Sequence, residues 1–147
     1  MIKYRRILSP VDFSKASQHA FETAVDLAAR LDAEVRAMHV YQLPASTLPD
    51  GVMETPTDLE TVLEERLEKQ LSEFVKQTAT EGVNITTGLA EGVPYVEITR
   101  AAKAFDADLI VIGPHGRTGL AHLLLGSVAE RVLRISEIPV LVVQQHH

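Results

Sequence analysis

Gly113, Gly116 and Gly119 recur at a spacing of three, directly after the wholly apolar run Leu109-Ile-Val-Ile112. An apolar run of that length reads as a strand buried on both faces. Glycine has no Cβ, so the backbone can take positive φ and a ligand can approach its N–H groups closely. A six-residue bridge, Leu120-Ala-His-Leu-Leu-Leu125, leads to Gly126-Ser127, where an amphipathic segment opens. A strand, a glycine-rich loop and a helix N-terminus in that order make a cradle for an anion. Phosphate is the ligand these residues imply. Arg117 adds a guanidinium whose fixed fork of donors suits phosphate oxygens, or it is an ordinary surface charge. Ser127-x-x-Glu130 is also a capping box, so the Ser127 hydroxyl has two competing uses.

Two widespread phosphate signatures are excluded. A P-loop needs Gly-x4-Gly-Lys-Ser/Thr, and no lysine in the chain is followed by Ser or Thr. The dinucleotide fingerprint needs Gly-x-Gly-x-x-Gly, whereas this loop begins Gly-x-x-Gly-x-x-Gly. What Gly113, Gly116, Gly126 and Ser127 do satisfy is Gly-x2-Gly-x9-Gly-Ser/Thr, without a gap. In this the chain resembles the nucleotide-binding subgroup of the universal stress protein family. The segments Gly-Ser-Val-Ala-Glu-Arg-Val at 126–132 and Pro-Val-Leu-Val-Val at 139–143 are similar to that family's closing helix and strand.

The resemblance implies an ATP site. It implies that Gly113, Pro114, His115, Gly116, Arg117, Thr118 and Gly119 surround the phosphates together with Gly126, Ser127, Val128 and Ala129. It implies that Pro10, Val11 and Asp12 lie beside the nucleoside, and that the backbone at Val40 lies against the adenine. Read from residue type alone, Asp12 is equally a turn former and Val40 a core residue. Asp12 could also share a Mg²⁺ with the phosphates, since magnesium is usually held by one or two carboxylates and the substrate. His115 reads as a positioning or packing group.

The elements that must place these residues alternate short apolar runs with helical periodicity, the pattern of βαβ units around a parallel sheet. Strands are expected at 4–9, 34–41, 84–90, 108–113 and 140–144. Ser14 is expected to cap a first helix running to Leu31, with Ala20, Ala24, Leu27, Ala28 and Leu31 inward. Residues 42–56 hold Pro44, Pro49 and Pro56 and read as a surface loop. Thr57-Asp-Leu-Glu60 is a capping box for a second helix that stops near Gly82. That helix should bury Leu59, Leu63, Leu67, Leu71, Phe74 and Val75 and turn Glu60, Glu64, Glu65, Glu68 and Glu73 outward, with a Glu65–Lys69 pair. A third helix opens at Gly92 and Pro94 with Ile98, Ala101, Ala102 and Phe105 inward, and a fourth covers 127–136.

This makes one domain over residues 1–147: a three-layer α/β/α fold, Rossmann-like, with five strands and four helices. The resemblance supplies the strand order, 3-2-1-4-5. In that order connections reverse between the first and fourth strands, which is where α/β sheets take ligands. The last strand would then be an edge. Val140, Leu141, Val142 and Val143 carry no charge to protect such an edge, which is economically covered by a second copy of the strand. The resemblance implies the same homodimer.

Composition bounds the partners. The 147 residues are 46% hydrophobic and carry a net charge of −6, which disfavours nucleic acid and anionic membranes. Without cysteine there is no disulfide or thiol chemistry. The start has no apolar signal core and no stretch approaches a membrane span, so a cytoplasmic protein is expected. His19, His39 and His122 show no metal-ligand spacing. There is no Gly-x-Ser-x-Gly elbow and no His-Glu-x-x-His. The reading is a nucleotide-responsive stress or signalling protein. An ATP-using enzyme, or an interaction module with an empty glycine loop, are the alternatives.

Overall fold

The computed structural model describes residues 3–43, 57–115 and 125–144. The expected loop over 42–56 falls almost wholly outside them, as do Gly116, Arg117, Thr118, Gly119, His122, His146 and His147. Among the described residues the strands are β1 (Arg6–Pro10), β2 (Glu34–Tyr41), β3 (Ile85–Glu91), β4 (Leu109–Ile112) and β5 (Val140–Val142). The helices are α1 (Lys15–Leu31), α2 (Thr57–Thr78), α3 (Pro94–Phe105) and α4 (Ser127–Ile135). The strands form one parallel sheet of order β3-β2-β1-β4-β5. Fold and strand order agree with expectation. β5 is shorter than expected and ends before Val143, although the Val143 amide still donates to the Ile112 carbonyl at 2.9 Å.

Alternation along the strands divides the core between the two faces of the sheet. Ile7, Val35 and Val111 point to one side, where they pack with Phe21, Ala24 and Val25 of α1 and Leu71 of α2. Leu8, Met38, Ile110 and Ile112 point to the other, against Ile98 and Ala102 of α3 and Val132 of α4. Two helices per face give the three layers.

The caps follow the local chemistry. Ser14 accepts the Ser17 amide at 3.1 Å and opens α1. Asp32 and Asp106 close α1 and α3 with φ of 55° and 54°, a left-handed stop to which aspartate is better suited than most side chains.

Leu31, Leu59, Glu64 and the Glu65–Lys69 pair depart from expectation. Leu31 and Leu59 follow the inward stripes of their helices but are 44% and 47% exposed. Leu31 is the last residue of α1, where the chain turns away at Asp32. The 22 residues of α2 span about 33 Å, against about 23 Å for the seven of β3, so the first turn of the helix overhangs the sheet. Glu64, on the acidic stripe expected to face outward, accepts the Tyr41 hydroxyl at 2.8 Å. Burial pushes the Tyr41 hydroxyl up to about 12, with the Glu64 hydrogen bond and the charges of Glu64, Glu60 and Glu91 adding to it. The Glu65–Lys69 pair is not among the ion pairs formed by the described residues. Asp26–Arg30, Glu97–Arg100 and Glu130–Arg134 are.

Candidate functional site

A cavity of about 490 Å³ opens at the carboxyl ends of β1, β2 and β4. It lies where the connections out of β1 and β4 depart to opposite faces of the sheet, the position at which open α/β sheets take ligands. Its size falls within the range of small-molecule sites.

One part of its wall is apolar. Met38 and Val40, two apart on β2, share a face with Ile112 of β4 and meet Pro94 and Ile98 from the start of α3. The other part is polar and built by backbone. Gly113 and His115 leave β4, and Gly126, Ser127, Val128 and Ala129 begin α4. The N-cap of α4 is Gly126, which has no side chain to accept the first-turn amides. Those amides have no acceptor within the helix either. Ser127 is therefore the first helical residue and not the cap, and the alternative capping-box reading of Ser127-x-x-Glu130 does not hold. Glu130 instead accepts Arg134 at 2.8 Å. The Ser127 side chain is left exposed beside the uncapped N-terminus.

His115 adds a second unsatisfied group. Its Nδ1 is buried and has no hydrogen-bond partner. The Gly126 amide donates to the Pro114 carbonyl at 2.6 Å, which brings the two ends of the excursion after β4 together.

Residues 10–14 form the facing wall. The Val11 amide donates to the Met38 carbonyl at 2.7 Å. Asp12 accepts both the Ser14 amide, at 2.9 Å, and the Ser14 hydroxyl, while its own amide donates to Ser17 Oγ at 3.3 Å. The turn-former reading of Asp12 thus holds, and the residue lines the cavity as well. Phe13 takes φ 66°. No three His, Asp or Glu among the described residues cluster as metal ligands.

Of the predicted site residues, Pro10, Val11, Asp12, Val40, Gly113, His115, Gly126, Ser127, Val128 and Ala129 line this one cavity. Pro114 is buried and does not line it. Gly116, Arg117, Thr118 and Gly119 lie outside the described residues. Sequence reasoning missed Ser17, Met38, Pro94, Ile98, Ile112 and Leu125. The helical and strand periods had marked Ile98 and Ile112 as core, which they are. Only the fold shows that Ile98, near the start of α3, and Ile112, the last residue of β4, also form a cavity wall.

The chain matches the Universal stress protein family model over residues 3–144. This chain is a member of the universal stress protein family. The universal stress protein MJ0531 of Methanocaldococcus jannaschii is 42% identical to it over 144 residues, covering 97% of this chain and 83% of that protein. The solved structure of MJ0577, from the same organism, superposes with a TM-score of 0.79 at 27% identity and covers 99% of both chains. A universal stress protein from Archaeoglobus fulgidus, solved in complex with dAMP, gives a TM-score of 0.64 at 26% identity over 97% of this chain and 98% of that one. The family thus accounts for the sheet order, and the cavity is the feature of this universal stress protein that its function must explain.

Proposed function

We propose that this universal stress protein binds ATP in the cavity between residues 10–14 and the start of α4, as one nucleotide-binding domain over residues 1–147. The observation that carries the reading is the pairing of two chemistries in one space. An apolar slot of Met38, Val40, Ile98 and Ile112 adjoins an uncapped helix N-terminus with an orphaned imidazole nitrogen beside it. A flat, weakly polar base suits the first, and phosphate suits the second. The dAMP complex of the Archaeoglobus fulgidus relative supports an adenine nucleotide as the ligand class.

In this reading the amides of Ser127, Val128 and Ala129 and the Ser127 hydroxyl receive phosphate, with Gly113, Gly116, Arg117, Thr118 and Gly119 completing the cradle. Val40 flanks the adenine and Asp12 the nucleoside. The donor set fits a phosphate-borne Mg²⁺: one carboxylate, Asp12, lines the cavity, and magnesium held mainly by phosphates needs little more. Magnesium would neutralise phosphate charge beside that carboxylate. The protein works as a nucleotide-responsive homodimer in the cytoplasm, two copies meeting along β5. Leu141 in that edge strand is 39% exposed, which supports this arrangement. Among the described residues no helix is long and apolar enough to cross a membrane.

Calorimetric titration with ATP, ADP and AMP tests the reading. Micromolar ATP binding requires about 8 kcal/mol, whereas a helix N-terminus gives an anion only about 0.3–2 kcal/mol. Affinity should therefore fall in steps from ATP to ADP to AMP, not vanish at one. Equal affinity for AMP and ATP would remove the phosphate cradle, and no binding of any of the three would remove the site.

A further inference from the structure

We propose that His39 is a positioning residue for nucleotide binding, holding the turn at residues 10–14 from the face of the sheet opposite the cavity. The proposal rests on reading the cavity as a nucleotide site.

Val11 and Asp12 line the cavity, but what fixes them lies behind it. The His39 Nδ1 is 2.6 Å from the Val11 carbonyl oxygen. A carbonyl can only accept, so this nitrogen carries a proton and donates. The Val11 amide meanwhile donates to the Met38 carbonyl at 2.7 Å. Both backbone polar groups of Val11 are thus tied to consecutive residues of β2. Successive side chains of a strand face opposite ways. Met38 accordingly lines the cavity while His39 sits on the α1 and α2 face.

The residue after Asp12 shows why such a clamp is needed. Phe13 has φ 66°, a region that bulky side chains rarely occupy. Its ring packs on His39 at 4.6 Å and edge-on to Phe74 of α2 at 5.8 Å. A strained backbone persists only where its surroundings over-determine it. Here the surroundings are the His39 ring, the Phe74 ring and the Ser14 bonds to Asp12. Without the hydrogen bond to Val11, the peptide between Val11 and Asp12 keeps only the 3.3 Å bond from the Asp12 amide to Ser17 Oγ, and the Asp12 side chain moves out of register with the cavity.

The turn borders the nucleoside end of the site and α4 the phosphate end. Loss of His39 should therefore weaken AMP and ATP by the same factor, a pattern that loss of a phosphate contact would not give. His39→Phe keeps a ring against Phe13 but has no donor. His39→Asn keeps an amide N–H near the position of Nδ1 but has no ring. Calorimetry with AMP and with ATP on the parent and both variants, alongside thermal melting, is the test.

The expected result is a roughly tenfold loss for both nucleotides in His39→Phe, the scale of one hydrogen bond in a binding equilibrium. His39→Asn should regain most of that loss. A folded His39→Phe that binds like the parent overturns the proposal and leaves the site reading intact. So does His39→Asn as weak as His39→Phe, or a loss for ATP much larger than for AMP. A parent that binds neither nucleotide overturns the site reading and this proposal with it. Should His39→Phe fail to fold, the parent alone decides. The His39 ring nitrogen resonances must shift when AMP saturates the protein, and unmoved resonances overturn the proposal.

Discussion

The amide of Gly126 donates to the carbonyl of Pro114 at 2.6 Å, so the glycine that opens α4 is tied to the chain just beyond the end of β4. A Cβ at Gly126 would lie 3.0 Å from the His115 Cα and 3.2 Å from the Pro114 oxygen. The φ of −63° suits any residue, so the close approach alone selects glycine here. Gly126→Ala should cost about 1 kcal/mol of stability and weaken ATP more than AMP, because the α4 amides shift with it. Melting and titration of the one variant check both. Unchanged preference for ATP over AMP would separate this contact from the phosphate end.

Asp12 has two duties that substitution can part. Asp12→Ala removes the acceptor for both Ser14 donors and should lower stability by about 1 kcal/mol. Asp12→Asn keeps an oxygen acceptor and should melt close to the parent. If the carboxylate serves Mg²⁺ and phosphate, Asp12→Asn will weaken ATP in magnesium and leave AMP unaltered. Comparable weakening of AMP would assign Asp12 to the nucleoside alone.

Leu141 tests the assembly. β5 is paired through Ile110–Val140, Val111–Leu141 and Ile112–Val142 on its β4 side, and Leu141 stays 39% exposed. Light scattering of the parent should give twice the 16.1 kDa chain mass, and Leu141→Lys should shift it toward that of one chain. A parent that scatters as a monomer at every concentration ends the dimer proposal.

Tyr41 makes stability depend on pH in the alkaline range. Its hydroxyl is raised from 10.0 to about 12, chiefly by burial and then by Glu64. The neutral form is favoured in the folded state, so its contribution is fully present below pH 10.0. It is lost as pH rises from 10.0 to about 12, where the unfolded chain ionises first. The loss should reach about 2–3 kcal/mol. Tyr41→Phe should flatten this part of the stability curve relative to the parent. Parallel curves for the two proteins would show that Tyr41 does not contribute.

Much of the architecture is local in origin and could be read from the chain. Strand and helix type came from apolar runs and from the periods of 2 and 3.6, and helix ends from Ser14, Gly92 and Pro94. The Gly113, Gly116, Gly126 and Ser127 spacing pointed to one end of the sheet because glycine and a helix start are properties of a few adjacent residues. Strand order entered through family resemblance, because sequence spacing does not say which strands pair. Whatever depends on residues far apart in the chain was decided by tertiary structure. Leu31 and Leu59 obeyed the helical stripe yet met no sheet, because a stripe cannot report where the sheet ends. Glu64 turned inward because Tyr41, 23 residues earlier, offered it a buried hydroxyl. The choice that the spacing left open at Ser127, cap or ligand contact, was narrowed when the fold put Gly126 at the cap and Ser127 one residue inside α4. His39 carried no motif at all. Its donor meets the Val11 carbonyl, 28 residues away, only because β1 and β2 lie side by side in parallel register.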